Sequence, residues 1–186
     1  KFLPQPIILE AQLMQATSDK FSLRNEIELL IRKRIIRCFY INLSSYGNER
    51  YFMLESDYLE QLENEKSENI QRFKVFIDTH NFISPTISTK TLESHSFSRE
   101  DISFFVNKKI LLLNTERGQE YLIHVPSSGK VVRSISEGRR VLVTYLSHQK
   151  NKIADKFNIE SHNIESSIFY AEFHCQELLG IGVFEE

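Results

Sequence analysis

The sequence predicts an α+β fold, mainly helical, made of three tandem units in which helices are followed by a strand, a wing and a second strand. That is the order of a winged-helix domain. Three observations predict it. A periodic helical stretch near the start runs into an apolar strand, a polar turn and another strand; the same order returns mid-chain; and a long amphipathic helix opens a third stretch. With 186 residues, 41% of them hydrophobic, the chain carries enough apolar material for a folded protein of this kind. The units are placed at residues 1–64, 65–125 and 126–186, the third lacking its last wing strand.

In the first unit "PIILEAQLMQA" supplies a leading helix and residues 23–33 a second one. Strand "IIRCFYINL", turn "SSYGNE" and strand "RYFML" follow. The second unit has leading helices in "ENIQRFKVFIDTH" and "STKTLESHS", then a helix from Ser98, where Ser98 and Asp101 stand at capping-box spacing. Strand "ILLLN", turn "TERGQ" and strand "EYLIHV" complete it. The helix-to-strand junctions of the two units look alike: "LIRKRIIR" at 30–37 and "FVNKKILL" at 105–112 each pass through basic residues into a strand. The third unit has a long helix, a short one near "KIADKFNI", and "AEFHCQELLGIGVF", where Gly180 is expected to end a helix before a last strand. Junctions are expected in the polar "ENEKSEN" and near "VPSSGK".

Charge is distributed unevenly. The net charge is only -2, yet residues 104–157 hold ten basic residues against four acidic ones, a local excess of +6. Projecting the long helix at about 100° per residue places Val131, Val132, Ile135, Leu142, Tyr145 and Leu146 on one arc. Lys130, Arg133 and Arg140 fall opposite, and Arg139 lies at the seam, its stem packing while its head reaches solvent. Glu137 and Ser134 interrupt the basic side. A duplex presents closely spaced phosphates, and lysines or arginines that neutralise them release condensed counterions. The expected DNA-binding residues are Lys130, Arg133, Arg139, Arg140, Lys150 and Lys152 in the third unit, with Lys108, Lys109 and the wing's Arg117 in the second. The second unit's helix "REDISFFVNKK" is acidic where a recognition helix enters a groove, so backbone contact is expected in place of base readout.

Other chemistries find no support. Cys38 and Cys175 form no CxxC pair, and six histidines never fall at HExxH or HxH spacing, so no metal site or disulfide framework is legible. There is no GxSxG, and His124 in "YLIHVP" reads as a strand residue and not a general base. No apolar run approaches the roughly 20 residues of a membrane span, and "KFLPQPIILE" lacks a signal-peptide core, so neither membrane insertion nor secretion is expected.

The stretches "LPQPIIL", "VPSSGKVVRSISEGRRVLVTYLSHQKNK" and "FHCQELLGIGV", in that order and spacing, resemble the serine/threonine-protein kinase 19 family over nearly the whole chain. The middle stretch carries most of it, with basic residues at 130 and 133 and then Gly138-Arg139; the last supplies Phe173, His174, Glu177, Leu178, Leu179 and Gly180. The resemblance implies a nuclear protein of three winged-helix domains, inactive as a kinase. It further implies a double-stranded DNA-binding adaptor of transcription-coupled nucleotide excision repair, whose partners are RNA polymerase II and repair-complex proteins. The residues agree on catalysis: there is no three-glycine phosphate loop, no His-Arg-Asp, no Asp-Phe-Gly and no Ala-Pro-Glu, and "GIG" at 180–182 follows a helix instead of opening one. No cofactor, membrane or small-molecule substrate is expected. The alternative is a winged-helix protein–protein docking module of a chromatin or transcription assembly without DNA contact, for which the acidic, aromatic "NERYFMLESDYLEQLENEKSE" is suited.

Overall fold

The structure is a computed structural model that describes residues 6–43, 47–80, 82–114, 118–126 and 128–185. The fold is α+β and mainly helical. In chain order its elements begin with β1 (Ile7–Leu9), α1 (Glu10–Gln15), α2 (Lys20–Arg32), β2 (Ile36–Leu43), β3 (Gly47–Leu54) and α3 (Glu55–Asn64). They continue with α4 (Glu68–Thr79), β4 (Thr86–Ser88), α5 (Thr89–Ser94), α6 (Arg99–Asn107), β5 (Leu111–Leu113) and β6 (Glu120–Ile123). After these come α7 (Gly129–Ser147), a 3-10 turn (Lys150–Lys152), α8 (Lys156–Glu160) and α9 (Ala171–Gly180).

One order occurs twice: a short strand, two helices, two strands. The sheets share a topology as well, β1-β3-β2 and β4-β6-β5, with the last strand in the middle each time. In the second sheet β6 is antiparallel to both neighbours, Tyr121 opposite Ile87 and Leu122 opposite Leu112. The chain divides into two compact units, one of Lys1–Ile7, Arg24–Ile41 and Arg50–Ser128, the other of Ile8–Leu23, Asn42–Glu49 and Gly129–Glu186. A boundary thus falls within "VPSSGK", whereas "ENEKSEN" lies inside the first unit as a tight turn between α3 and α4. The Gln71 side chain braces that turn by donating to the carbonyls of Leu62, Glu63 and Glu65.

The likeness of the two helix-to-strand junctions has a backbone cause. Arg34 and Lys109 both stand in the left-handed region, at φ 56° and 57°. In each case the residue donates to a carbonyl three back and the following isoleucine to one five back, Ile35 to Leu30 and Ile110 to Phe105. This is a Schellman closure, which here uses a basic residue where glycine is usual. Two of the basic side chains of the first junction, Arg34 and Arg37, are engaged. Arg37 is buried and pairs twice with Glu55, at 2.7 and 2.8 Å, while Arg34 reaches the same carboxylate at 2.8 Å and Asp78 at 3.0 Å. The Ser98/Asp101 capping box forms as the spacing predicts, each side chain accepting from the other's backbone N–H. The first unit's core is aromatic: Phe73 lies 5.0–6.2 Å from the rings of Phe76, Phe97 and Phe105.

In the second unit α9 packs against α7 and α1. Leu142, Ile164, Ala171, Cys175, Leu178 and Phe184 form its apolar core. Two expectations are corrected here. Only Glu10–Gln15 of "PIILEAQLMQA" is helical; the two β-branched isoleucines after Pro6 favour extended backbone and lead instead into β1. No strand follows Gly180 through residue 185, and Gly180 is the last residue of α9. The closure is made by Gly182 at φ 73°, with Val183 donating to Leu178. Gly180 lacks a side chain for a different reason: a Cβ there would run into the Ala11 backbone, so glycine sets the α1–α9 approach.

Candidate nucleic-acid interface

Helix α7 shows why its sequence alternates as it does. Val131, Ile135 and Leu142 are buried, Val132, Tyr145 and Leu146 half-buried, and Lys130, Arg133 and Arg140 exposed. At spacings of three and seven the three cations share one stripe. Arg140 is partly neutralised, donating through Nε (3.0 Å) and Nη2 (2.8 Å) to Glu137. Lys150 and Lys152 are exposed on the 3-10 turn after α7, where Asn151 and Lys152 both take left-handed backbone, at φ 58° and 56°. These five cations belong to the second unit. Lys108 and Lys109 follow α6 in the first unit, both exposed, with Lys108 Nζ 5.9 Å from the Phe104 ring centroid. Arg117 lies outside the described residues.

Arg139 is a correction. It is 1% exposed, and its guanidinium donates to Glu49 through Nη1 (2.7 Å) and Nη2 (2.5 Å) and through Nε to Glu177. Projection put its head in solvent because a wheel assigns charge outward. A buried charge is tolerated when paired, and here carboxylates 90 and 38 residues distant provide the pairs. Burial works against the Arg139 charge, but the Glu49 bonds and Glu177 more than offset it and hold its pKa above the ordinary value. Burial pushes the Glu177 carboxyl up, against the pull of His174 and Arg139. Glu49 takes both Nη atoms of the guanidinium, while Glu177 takes Nε. His174 is fully buried between these groups and α7: its Nε2 lies 2.9 Å from Ser167 Oγ, its Nδ1 3.8 Å from Glu177, and its ring lies where a Cβ on Gly138 would be. The Gly138-Arg139 pair and the His174/Glu177 pair, read separately in the sequence, are therefore two sides of one packed contact.

Among the described residues no group of three or more His, Cys, Asp or Glu is placed to hold a metal ion, and no helix is long and apolar enough to cross a membrane. His124 is buried, its Nδ1 3.2 Å from the Lys109 carbonyl, and burial lowers its pKa. Burial likewise pushes the Cys175 thiol up to about 11, the state of an inert core cysteine.

Residues 1–163 match the family model for inactive serine-threonine protein kinase 19. The chain belongs to that family. As a member of the inactive serine-threonine protein kinase 19 family it is not an active kinase, in agreement with the missing phosphate loop and metal-holding motifs. No curated protein matches the chain. The family match includes all the exposed cations named above and ends ahead of α9, so the roles of His174, Glu177 and Gly180 rest on packing alone.

Proposed function

We propose that this member of the inactive serine-threonine protein kinase 19 family is a non-enzymatic adaptor that binds the backbone of double-stranded DNA with little sequence specificity. The observation that carries the proposal is the exposed stripe of Lys130, Arg133 and Arg140 on α7, continued by Lys150 and Lys152. Lys130 and Arg133 have no ion-pair partner among the described residues, so their charge is available to phosphates. Lys108 and Lys109 add a second set on the first unit. The strand, helix, helix, strand, strand order found twice, with its shared sheet topology, supports reading residues 1–64 and 65–125 as winged helices, and 126–186 as a third without a wing. Such modules offer side chains for phosphates and few for base edges here. By family, the proposed setting is the nucleus and transcription-coupled repair, with RNA polymerase II and repair-complex proteins as partners.

A second reading, docking of proteins without DNA contact, is favoured by α3: Tyr58 and Leu62 are buried while Glu60 and Glu63 face solvent, which makes an acidic outer face. The experiment separates the two. Arg133→Glu with Arg140→Glu lowers duplex affinity at least about tenfold in a fluorescence-anisotropy titration and leaves the thermal midpoint nearly unchanged, because both side chains are exposed. Unchanged affinity in the folded double variant removes the DNA surface and leaves the docking reading.

A further inference from the structure

The first unit holds a pair of histidines that the DNA reading does not use. His80 and His95 are the C-terminal caps of α4 and α5, fifteen residues apart in sequence, and their ring centroids lie 4.4 Å apart at 82°. Both rings line one open groove of about 470 Å³, together with Glu68, Val75 and Phe76. Phe76 lies under both imidazoles, 5.2 Å from His80 and 4.8 Å from His95.

The hydrogen bonds fix the tautomers. His80 Nδ1 is 3.1 Å from the Phe76 carbonyl, and His95 Nδ1 is 2.8 Å from the Thr91 carbonyl and 3.1 Å from Ser94 Oγ. A carbonyl only accepts, so each neutral ring carries its proton on Nδ1 and leaves the Nε2 lone pair free. Neither Nε2 has a hydrogen-bond partner among the described residues. A ring nitrogen bonded to a backbone carbonyl, with the other nitrogen left basic and oriented, is how metal-ligating histidines are held. The 4.4 Å centroid separation leaves room for one ion roughly 2.0–2.1 Å from both Nε2 atoms at a bond angle of about 90°.

Charge around the groove also suits a cation. The C-terminus of α4, a helix of 12 residues, brings its partial negative charge to His80, and Glu68 stands on the groove wall. The one cation on that wall, Arg72, is engaged: it donates to the Ser96 carbonyl at 2.9 Å, pairs with Asp101 at 3.6 Å and lies over Phe97.

We propose that His80 and His95 form a two-imidazole site for a divalent first-row transition ion of the zinc or copper type. Its remaining positions are left to water or to a side chain from a binding partner. Imidazole selects such ions over magnesium and calcium, which take oxygen ligands. The proposal is independent of DNA binding.

The test is calorimetric titration of the untagged full chain with Zn²⁺, with Mg²⁺ as a control, beside imidazole ¹⁵N NMR. The expected result is one site for Zn²⁺, none for Mg²⁺, and Nε2 shifts at His80 and His95. Each of His80→Ala and His95→Ala weakens Zn²⁺ at least about tenfold, about 1.4 kcal/mol. His80→Phe keeps an aromatic ring against Phe76 but has no lone pair, and its loss of binding separates ligation from packing. His148→Ala leaves affinity unchanged. No Zn²⁺ binding, binding indifferent to either substitution, or full retention in His80→Phe overturns the site.

Discussion

Gly138→Ala is expected to lower the stability of this protein by about 1–3 kcal/mol. A Cβ at position 138 would coincide with the His174 ring, and that ring is fully buried and held by Ser167. Overpacking a tight core costs roughly 1–3 kcal/mol. Displacing His174 adds the loss of its bond to Ser167, about 1 kcal/mol or more for a buried group. Alanine's better helix propensity returns only about 1 kcal/mol. In a chain of this length each kcal/mol moves the thermal midpoint by about 2–4 °C, so a drop of about 2–12 °C is expected. Gly129→Ala is the control, since a Cβ there meets nothing within 4 Å. Adding His174→Ala to Gly138→Ala should relieve the overlap, so the double variant loses less than the two single losses together. A Gly138→Ala protein as stable as wild type contradicts the α7–α9 packing described.

Arg139→Ala is expected to have the other large effect, and on folding in place of DNA binding. Removing the guanidinium leaves Glu49 and Glu177 without their shared cation in a closed site. Breaking a buried pair from one side costs about 3–5 kcal/mol. The loss depends on pH, with a sign that follows from Glu177, whose carboxyl is already raised by burial. Without Arg139 its folded pKa rises further above the unfolded value. The variant is then least destabilised at acidic pH, where Glu177 is protonated, and loses stability as pH rises through that folded pKa. Urea melts at pH 5 and pH 8 check this: a larger deficit at pH 8 is expected. Duplex affinity per folded molecule should stay near wild type, because the guanidinium does not reach solvent. A stable Arg139→Ala protein with weakened DNA binding would return Arg139 to the surface.

The contrast between Arg139 and Arg133 shows where the sequence is legible. Local rules read well: Ser98 and Asp101 cap α6, the helix-to-strand order repeats, and α7 is amphipathic with Arg133 outward, because each depends on neighbours a few residues away. Helix α3 was hidden by its charge. "ESDYLEQLEN" reads as an acidic surface stretch, and only Glu55, Tyr58 and Leu62, three and seven apart, mark the buried side. Charges satisfied by distant partners are not legible locally. Arg37 finds Glu55, and Arg139 finds Glu49 and Glu177, through contacts the fold sets. The end of α9 went astray for a related reason: Gly180 looked like a cap, but the helix crossing with Ala11 requires it, and Gly182 does the capping. His80 and His95 meet only because α4 and α5 end at the same groove.

Exposed cations, chiefly those of α7, are proposed to hold duplex phosphates without reading bases. The most direct measurement is duplex affinity against salt concentration, for wild type and for Arg133→Glu with Arg140→Glu. A log-log slope of roughly -3 to -6 is expected, from about three to six neutralised phosphates. The double variant should show a slope shallower by about 2, and unrelated duplexes of equal length should differ by less than about tenfold. A slope near zero, a slope unmoved by the double substitution, or a preference above about a hundredfold that survives high salt would rule out sequence-independent phosphate binding by these cations.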